Sequence, residues 1–156
     1  MCRSANLFPN LAAFLDMIAY SEGTLKYGND DGYNVIVGGS LFSSYSDHPR
    51  KLVILSPTLK STAAGRYQLM ARYATPYMSQ LHLKDFSPIS QDAIAIQIIR
   101  EQGALKNIMN GDIVKAIQQC SNIWASFPGA GYNQRENKID TLISKYKEFG
   151  GKLNGA

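Results

Sequence analysis

The feature that most constrains the fold of this chain is an apolar helical register that ends on an acid. Counting back from Glu22 by helical steps meets Ile18, Leu15 and Leu11, and Gly23 follows at once as a helix stop. A carboxyl in register with three apolar residues points into protein or a cleft instead of bulk water. Burial disfavours its charged form, so it can keep a proton near neutral pH and release it on demand, as a general acid must. An acid at a frayed helix end is the alternative that the pattern leaves open.

The register belongs to a first helix over residues 8–21, with Phe8, Leu11, Ala12, Leu15, Ile18 and Ala19 on one face and Pro9 and Asn10 as start signals. From Tyr27 to Asp47 the chemistry changes to turns, with Tyr33 to Val37 as a short strand, which predicts a small hairpin or three-stranded sheet. Leu52 to Leu55 is a brief apolar run, Lys60 to Gly65 is loop-like, and Arg66 to Tyr73 resumes a helical pattern. Ser87-Pro88 opens a helix that is apolar nearly all round from Ile89 through Ile99 and stops at Gly103, a candidate for the centre of the core. Asp112 can cap a short helix bearing Ile113, Val114 and Ile117. A final helix carries Ile139, Leu142, Ile143, Tyr146 and Phe149 on one face and ends at Gly150-Gly151. The expectation is one α+β domain over residues 1–156, mainly helical, with one small antiparallel sheet inserted after the first helix.

Charge narrows the partners. Sixteen basic residues against 12 acidic give +4, a mild bias toward a polyanion. The Lys and Arg are scattered, with no stripe or nucleic-acid motif, so nucleic acid is not expected; an anionic cell wall or membrane surface fits the charge as well. Cys2 and Cys120 stand far apart without ligand-spaced neighbours, which argues against disulfides and against a metal site. Gly38-Gly39 and Gly129-Ala130-Gly131 lack the phosphate-loop and dinucleotide spacings, so no cofactor is expected. No apolar run approaches a membrane span and no basic leader precedes one, which predicts a protein made in the cytoplasm without stable membrane insertion.

Among the acids, Asp47 in Ser46-Asp47-His48-Pro49 is the next candidate after Glu22, because an acid beside a histidine can orient it; tying its own turn is the plainer role. Cys120 with His48 or His82 would be the pair for a cysteine hydrolase, but a lone Cys near a helix end is usually a small buried hydrophobe. Tyr33, Tyr45, Tyr67, Trp124 and Tyr132, with Gln68 beside Tyr67, fall in or near irregular segments. Stacking faces and amides of that kind hold sugar rings, although each aromatic taken alone is more often packing.

The runs Ala13-Phe14-Leu15-Asp16-Met17, Ser21-Glu22-Gly23-Thr24, Tyr33 to Gly39, Tyr45 to Leu52, Gly65-Arg66-Tyr67-Gln68-Leu69 and Cys120 to Ser126 closely resemble the phage lambda endolysin family. The similarity spans about Ala13 to Gly151, with the blocks in the same order. It implies a lysozyme-like fold and a lytic transglycosylase that cleaves the β-1,4 bond between N-acetylmuramic acid and N-acetylglucosamine in peptidoglycan, leaving a 1,6-anhydro ring. The family's catalytic Glu falls on Glu22, and substrate contacts fall on Ser21, Tyr33, Ile36, Tyr67, Gln68, Trp124 and Tyr132. Asn34 stands where the lambda protein has an Asp, which removes a second acid from the sheet. The resemblance also implies two mobile lips, at about 50–61 and 128–136, a monomer, and holin-dependent release from the host cytoplasm to the periplasmic wall. Leu25 to Asp31 departs most from the family. A hydrolytic muramidase using Glu22 and Asp47 is the neighbouring alternative, and an inactive wall-binding module is the rival of another class.

Overall fold

Helix α1 (Pro9–Glu22) begins where Pro9 sacrifices no hydrogen bond, because the first helical N–H groups have no partner inside the helix. Phe8 O accepts instead from Leu11 N and Ala12 N, at 2.9 and 3.1 Å. The computed structural model describes residues 1–27, 30–131 and 136–154. It divides into two compact units, Met1–Glu22 with Ala95–Ala156, and Gly23–Ile94.

In the first unit α1 is the central element. Leu11, every residue from Ala13 to Ala19, and Ser21 are buried, so the helix is enclosed on more than the single face that its apolar spacing predicts. The reason is that α4 (Leu105–Met109) and α6 (Ile139–Glu148) both pack on it, while α5 (Ile113–Cys120) packs on both of those. Polar residues on α1 are buried with partners: Asn10 donates to Ile108 O and accepts from Lys152 N, each at 3.0 Å, and Asp16 accepts from Cys2 N at 2.8 Å. Phe14 meets Phe127 edge-on at 6.3 Å, and Phe127 lies 6.0 Å from Trp124. At the far end of the chain Tyr146 donates to Lys152 O at 2.8 Å. A Cβ on Gly151 would collide with the Tyr146 ring, so a glycine is required there.

The helix α3 (Pro88–Glu101) contributes residues up to Ile94 to the second unit and those from Ala95 to the first. Ser87 Oγ accepts from Ser90 N at 3.4 Å, the cap anticipated from Ser87-Pro88. The core role expected of α3 is only partial: Ile94, Ala95, Ile98 and Ile99 are buried, but Ile89 is exposed.

The second unit holds the sheet, and its position differs from expectation. Two antiparallel strands, β1 (Val53–Ser56) and β2 (Leu59–Ser61), form a hairpin, whereas Val35, Ile36, Leu41, Ala64 and Leu69 make only isolated bridges. Gly38 and Gly39 both have positive φ, so the chain turns away before residues 33–37 can extend a ladder. Val53-Ile54 supplies the β-branched pair and Pro57 the turn that the hairpin needs. The expected helix at 66–73 is displaced to α2 (Ala71–Gln80), because Arg66 to Leu69 are drawn into a buried turn.

That turn organises the second unit. Gly65, at φ +84°, sits where a Cβ would come 2.5 Å from Gln91 Oε1, which accepts from Arg66 N at 2.9 Å. Gln91 Nε2 donates to Tyr33 O at 3.1 Å and Phe86 O at 2.9 Å. Thr24, in the 3-10 turn after Gly23, donates to Arg66 O at 2.8 Å. No helix among the described residues is long and apolar enough to cross a membrane.

Candidate active site

Glu22 occupies the last position of α1, and Gly23, at φ +80°, ends the helix immediately after it. The sequence register therefore delivers the acid where it was anticipated, on the buried stem of α1. Desolvation pushes its pKa up from 4.5 to about 7, against the lowering effect of bonds from the Ser126 side chain and backbone. Ser126 Oγ donates to Glu22 Oε2. Ser126 Oγ also lies 2.7 Å from Ser21 Oγ, and Asn137 Nδ2 donates to Ser21 O at 3.0 Å and Ser21 Oγ at 3.1 Å. Asn137 N in turn donates to Ser126 O at 2.8 Å. A half-protonated acid at neutral pH, held by hydroxyl and amide donors, can both give and take a proton.

Ser126 and Asn137 carry no periodic signal, since they lie in irregular chain 104 and 115 positions beyond Glu22. Only the fold brings them to the acid. Ser21, expected to touch substrate, is buried and spends its hydroxyl on Ser126 and Asn137.

Three of the aromatic candidates also lie inside. Tyr33 and Tyr67 are fully buried, with Tyr33 donating to Asp92 Oδ1 at 2.8 Å and Tyr67 to the same oxygen at 2.6 Å. Arg66 lies over both rings and donates to the Tyr67 hydroxyl at 3.1 Å. Burial above all, together with the Asp92 charge, holds the Tyr67 hydroxyl well above its ordinary pKa. Trp124 is buried against Phe127. These three rings offer no open face for a sugar, because large aromatics gain more from packing. Ile36 is buried and bridged to Ala64. Gln68 adopts φ +53° and donates from Nε2 to Val35 O and Gly65 O at 3.2 and 2.9 Å, so its amide nitrogen fixes the turn. Tyr132 lies outside the described residues.

Asp47 takes a different part from the one its neighbour suggested. It accepts from the His48 backbone N–H at 2.8 Å and pairs with Arg50 Nε at 3.0 Å, and the Arg50 bond holds its pKa below the usual value. The His48 ring faces elsewhere. Arg50 N donates to Nδ1 at 2.9 Å, so Nε2 carries the proton and donates to Leu69 O at 2.7 Å. In the segment 128–136, Glu136 accepts from Gly129 N and Gly131 N, both at 3.1 Å. Cys120 is buried and its thiol is pushed up to about 12 by burial, the reverse of an activated nucleophile. No cluster of metal-ligating side chains occurs among the described residues.

An acid raised by burial at the end of a central helix, within a mainly helical α+β fold, defines a lysozyme-like protein, and the comparisons agree. The structure called bacteriophage lambda lysozyme complexed with a chitohexasaccharide superposes with a TM-score of 0.93 at 58% identity, covering 97% of this chain and 100% of that one. A second lambda lysozyme structure gives 0.89 at the same identity. The endolysin of Escherichia phage lambda is 63% identical over 142 residues, 89% of this chain and 90% of the relative. That of Escherichia phage P2 is 48% identical over 94% of this chain and 96% of its own. The family model described as Endolysin matches residues 12–153, and the chain belongs to the endolysin family.

Proposed function

We propose that this endolysin degrades peptidoglycan as a lytic transglycosylase, with Glu22 serving in turn as acid and base. The observation that carries the reading is a single carboxyl with its pKa raised to about 7 and bonded to a hydroxyl, Ser126. Protonated Glu22 gives its proton to the glycosidic oxygen as the bond to muramic C1 breaks. The resulting carboxylate then takes the proton of the muramic C6 hydroxyl while that oxygen bonds to C1. The 1,6-anhydro ring closes without consuming water, and Glu22 is protonated again.

A paired-carboxylate glycosidase needs a second acid as nucleophile or as base for water. Here the nucleophile belongs to the substrate, which suits an acid near half-protonation. A glycan ligand fits the lambda lysozyme structure complexed with a chitohexasaccharide. The enzyme acts as a monomer on the periplasmic wall after holin-dependent release from the host cytoplasm.

Mass spectrometry of digested peptidoglycan tests the reading. Muramic ends in the anhydro form, lighter by one water than reducing ends, are expected. Reducing ends would instead establish hydrolysis, with Asp47 the first residue to substitute. Glu22→Gln is expected to lose lysis by a factor of about 10² to 10⁴ while still sedimenting with walls. Retained lysis would remove Glu22 from the chemistry.

A further inference from the structure

The polarity of the bonds behind Glu22 can be read without seeing a hydrogen. Ser21 O is a carbonyl and only accepts, so the atom of Asn137 at 3.0 Å from it is the amide nitrogen. The same nitrogen lies 3.1 Å from Ser21 Oγ and 3.5 Å from Ser126 O, and its second hydrogen goes to the nearer acceptor, Ser21 Oγ. At the other end, an ionised Glu22 only accepts, so the single proton of Ser126 is committed to Oε2. The 2.7 Å contact between the two serine hydroxyls then has one solution, with Ser21 donating to Ser126. Every donor in the series points toward the acid. Ser21 and Ser126 are both buried, so bulk water is a poor substitute for either.

We propose that Asn137, Ser21 and Ser126 form a directed hydrogen-bond relay whose fixed end is Asn137 and which receives Glu22 as a carboxylate once its proton has left. The proposal rests on Glu22 being the acid of the proposed reaction. Ser126 is a positioning residue touching the acid; Ser21 and Asn137 position it in turn. With Oε2 occupied by this donor, the transferable proton belongs on Oε1. Charge-assisted bonds are stronger than neutral ones, so the relay tightens as the carboxylate forms and loosens when Glu22 takes the sugar proton.

Among the described residues of the unit, other charges are engaged or turned outward. Asp16 accepts from Cys2 N, Lys145 pairs with Glu148 and lies over the Tyr20 ring, and Glu136 accepts from Gly129 N and Gly131 N. Lys106, Lys138, Asp140 and Lys147 are exposed.

The test is the titration midpoint of Glu22, followed by carbon-13 NMR of its carboxyl, together with the alkaline limb of the lytic rate. Ser126→Ala is expected to raise the midpoint by about one pH unit, and Ser21→Ala and Asn137→Ala by about half a unit each, since each removes support for the charged form. Asn137→Asp, which turns the donor end into an acceptor, is expected to raise it more than Asn137→Ala does. Ser126→Thr keeps the hydroxyl and is expected to restore the wild-type midpoint. If Ser21→Ala and both Asn137 variants fold and titrate as wild type, Ser126 acts alone and the relay is overturned. Full lysis by Glu22→Gln in the same series would overturn the acid role instead, leaving the midpoint shifts of the other variants to be judged on their own.

Discussion

Tyr67 donates its hydroxyl to Asp92 Oδ1 at 2.6 Å in the interior of the second unit, and neither side chain is exposed to solvent. Tyr33 shares that oxygen at 2.8 Å. Removing the carboxylate takes the shared acceptor from two buried hydroxyl donors and withdraws a negative charge from the neighbourhood of Arg66. Asp92→Ala is therefore expected to cost about 3 to 5 kcal/mol and Tyr67→Phe about 1 to 2 kcal/mol in urea denaturation. An Asp92→Ala protein as stable as wild type would show that this network is dispensable.

Glu22 places a pH dependence on stability as well as on rate. Its folded pKa, about 7, lies above the ordinary 4.5, so the folded state holds the proton more tightly. Its contribution is fully present below pH 4.5 and is lost as the pH rises through 7. Glu22→Gln, which carries no charge, is expected to match wild type near pH 4 and to exceed it by about 2 kcal/mol at pH 8, allowing for solvent that reaches part of the side chain. Equal stability of the two proteins at both pH values would refute a raised pKa.

His48 predicts the opposite slope. Burial above all lowers its pKa from 6.5, and the neutral tautomer is fixed by Arg50 N and Leu69 O. Stability from this ring is present above pH 6.5 and is lost as the pH falls through the lowered folded value. His48→Phe is expected to cost about 2 kcal/mol at pH 7.5 and to remove this part of the acid sensitivity. Denaturation curves at pH 7.5 and 5 would show whether the gap between the two proteins narrows.

For Cys120 the expectation concerns reactivity. A buried thiol raised to about 12 should resist alkylation at pH 8 in the native protein, and Cys120→Ala should lyse walls within about twofold of wild type. Loss of lysis in a folded Cys120→Ala variant would return the cysteine to the chemistry.

Glu22 was legible in the sequence because helical spacing and a following glycine are local signals. The ends of α1, α3 and α6 were legible for the same reason: Pro9, Ser87-Pro88 and Gly150 act on their immediate neighbours, whereas Asp112 precedes α5 without the side-chain capping bond expected of it. Residues 33–37 read as a strand from their composition, but forming a ladder depends on a partner, and the positive φ of Gly38 and Gly39 withdraws it. For Tyr33 and Tyr67 the deciding signal is likewise non-local: Asp92, 59 and 25 positions away, gathers their hydroxyls inward. Ser126 and Asn137 could be linked to Glu22 only by the fold.

The bonds from Asn10 to Ile108 O and Lys152 N, and from Asn154 N to Gly111 O at 3.0 Å, have a meaning in time. α1 is synthesised before α4, α6 and the chain after Gly151, which make up much of its buried surround. Until those have been translated, a helix with nearly every side apolar and a carboxyl at its tip has nothing to lie against. The stem that carries the acid is thus completed only once α6 and the chain after it have emerged, and a ribosome-bound fragment that stops before residue 107 should have no assembled site around Glu22, however long it waits.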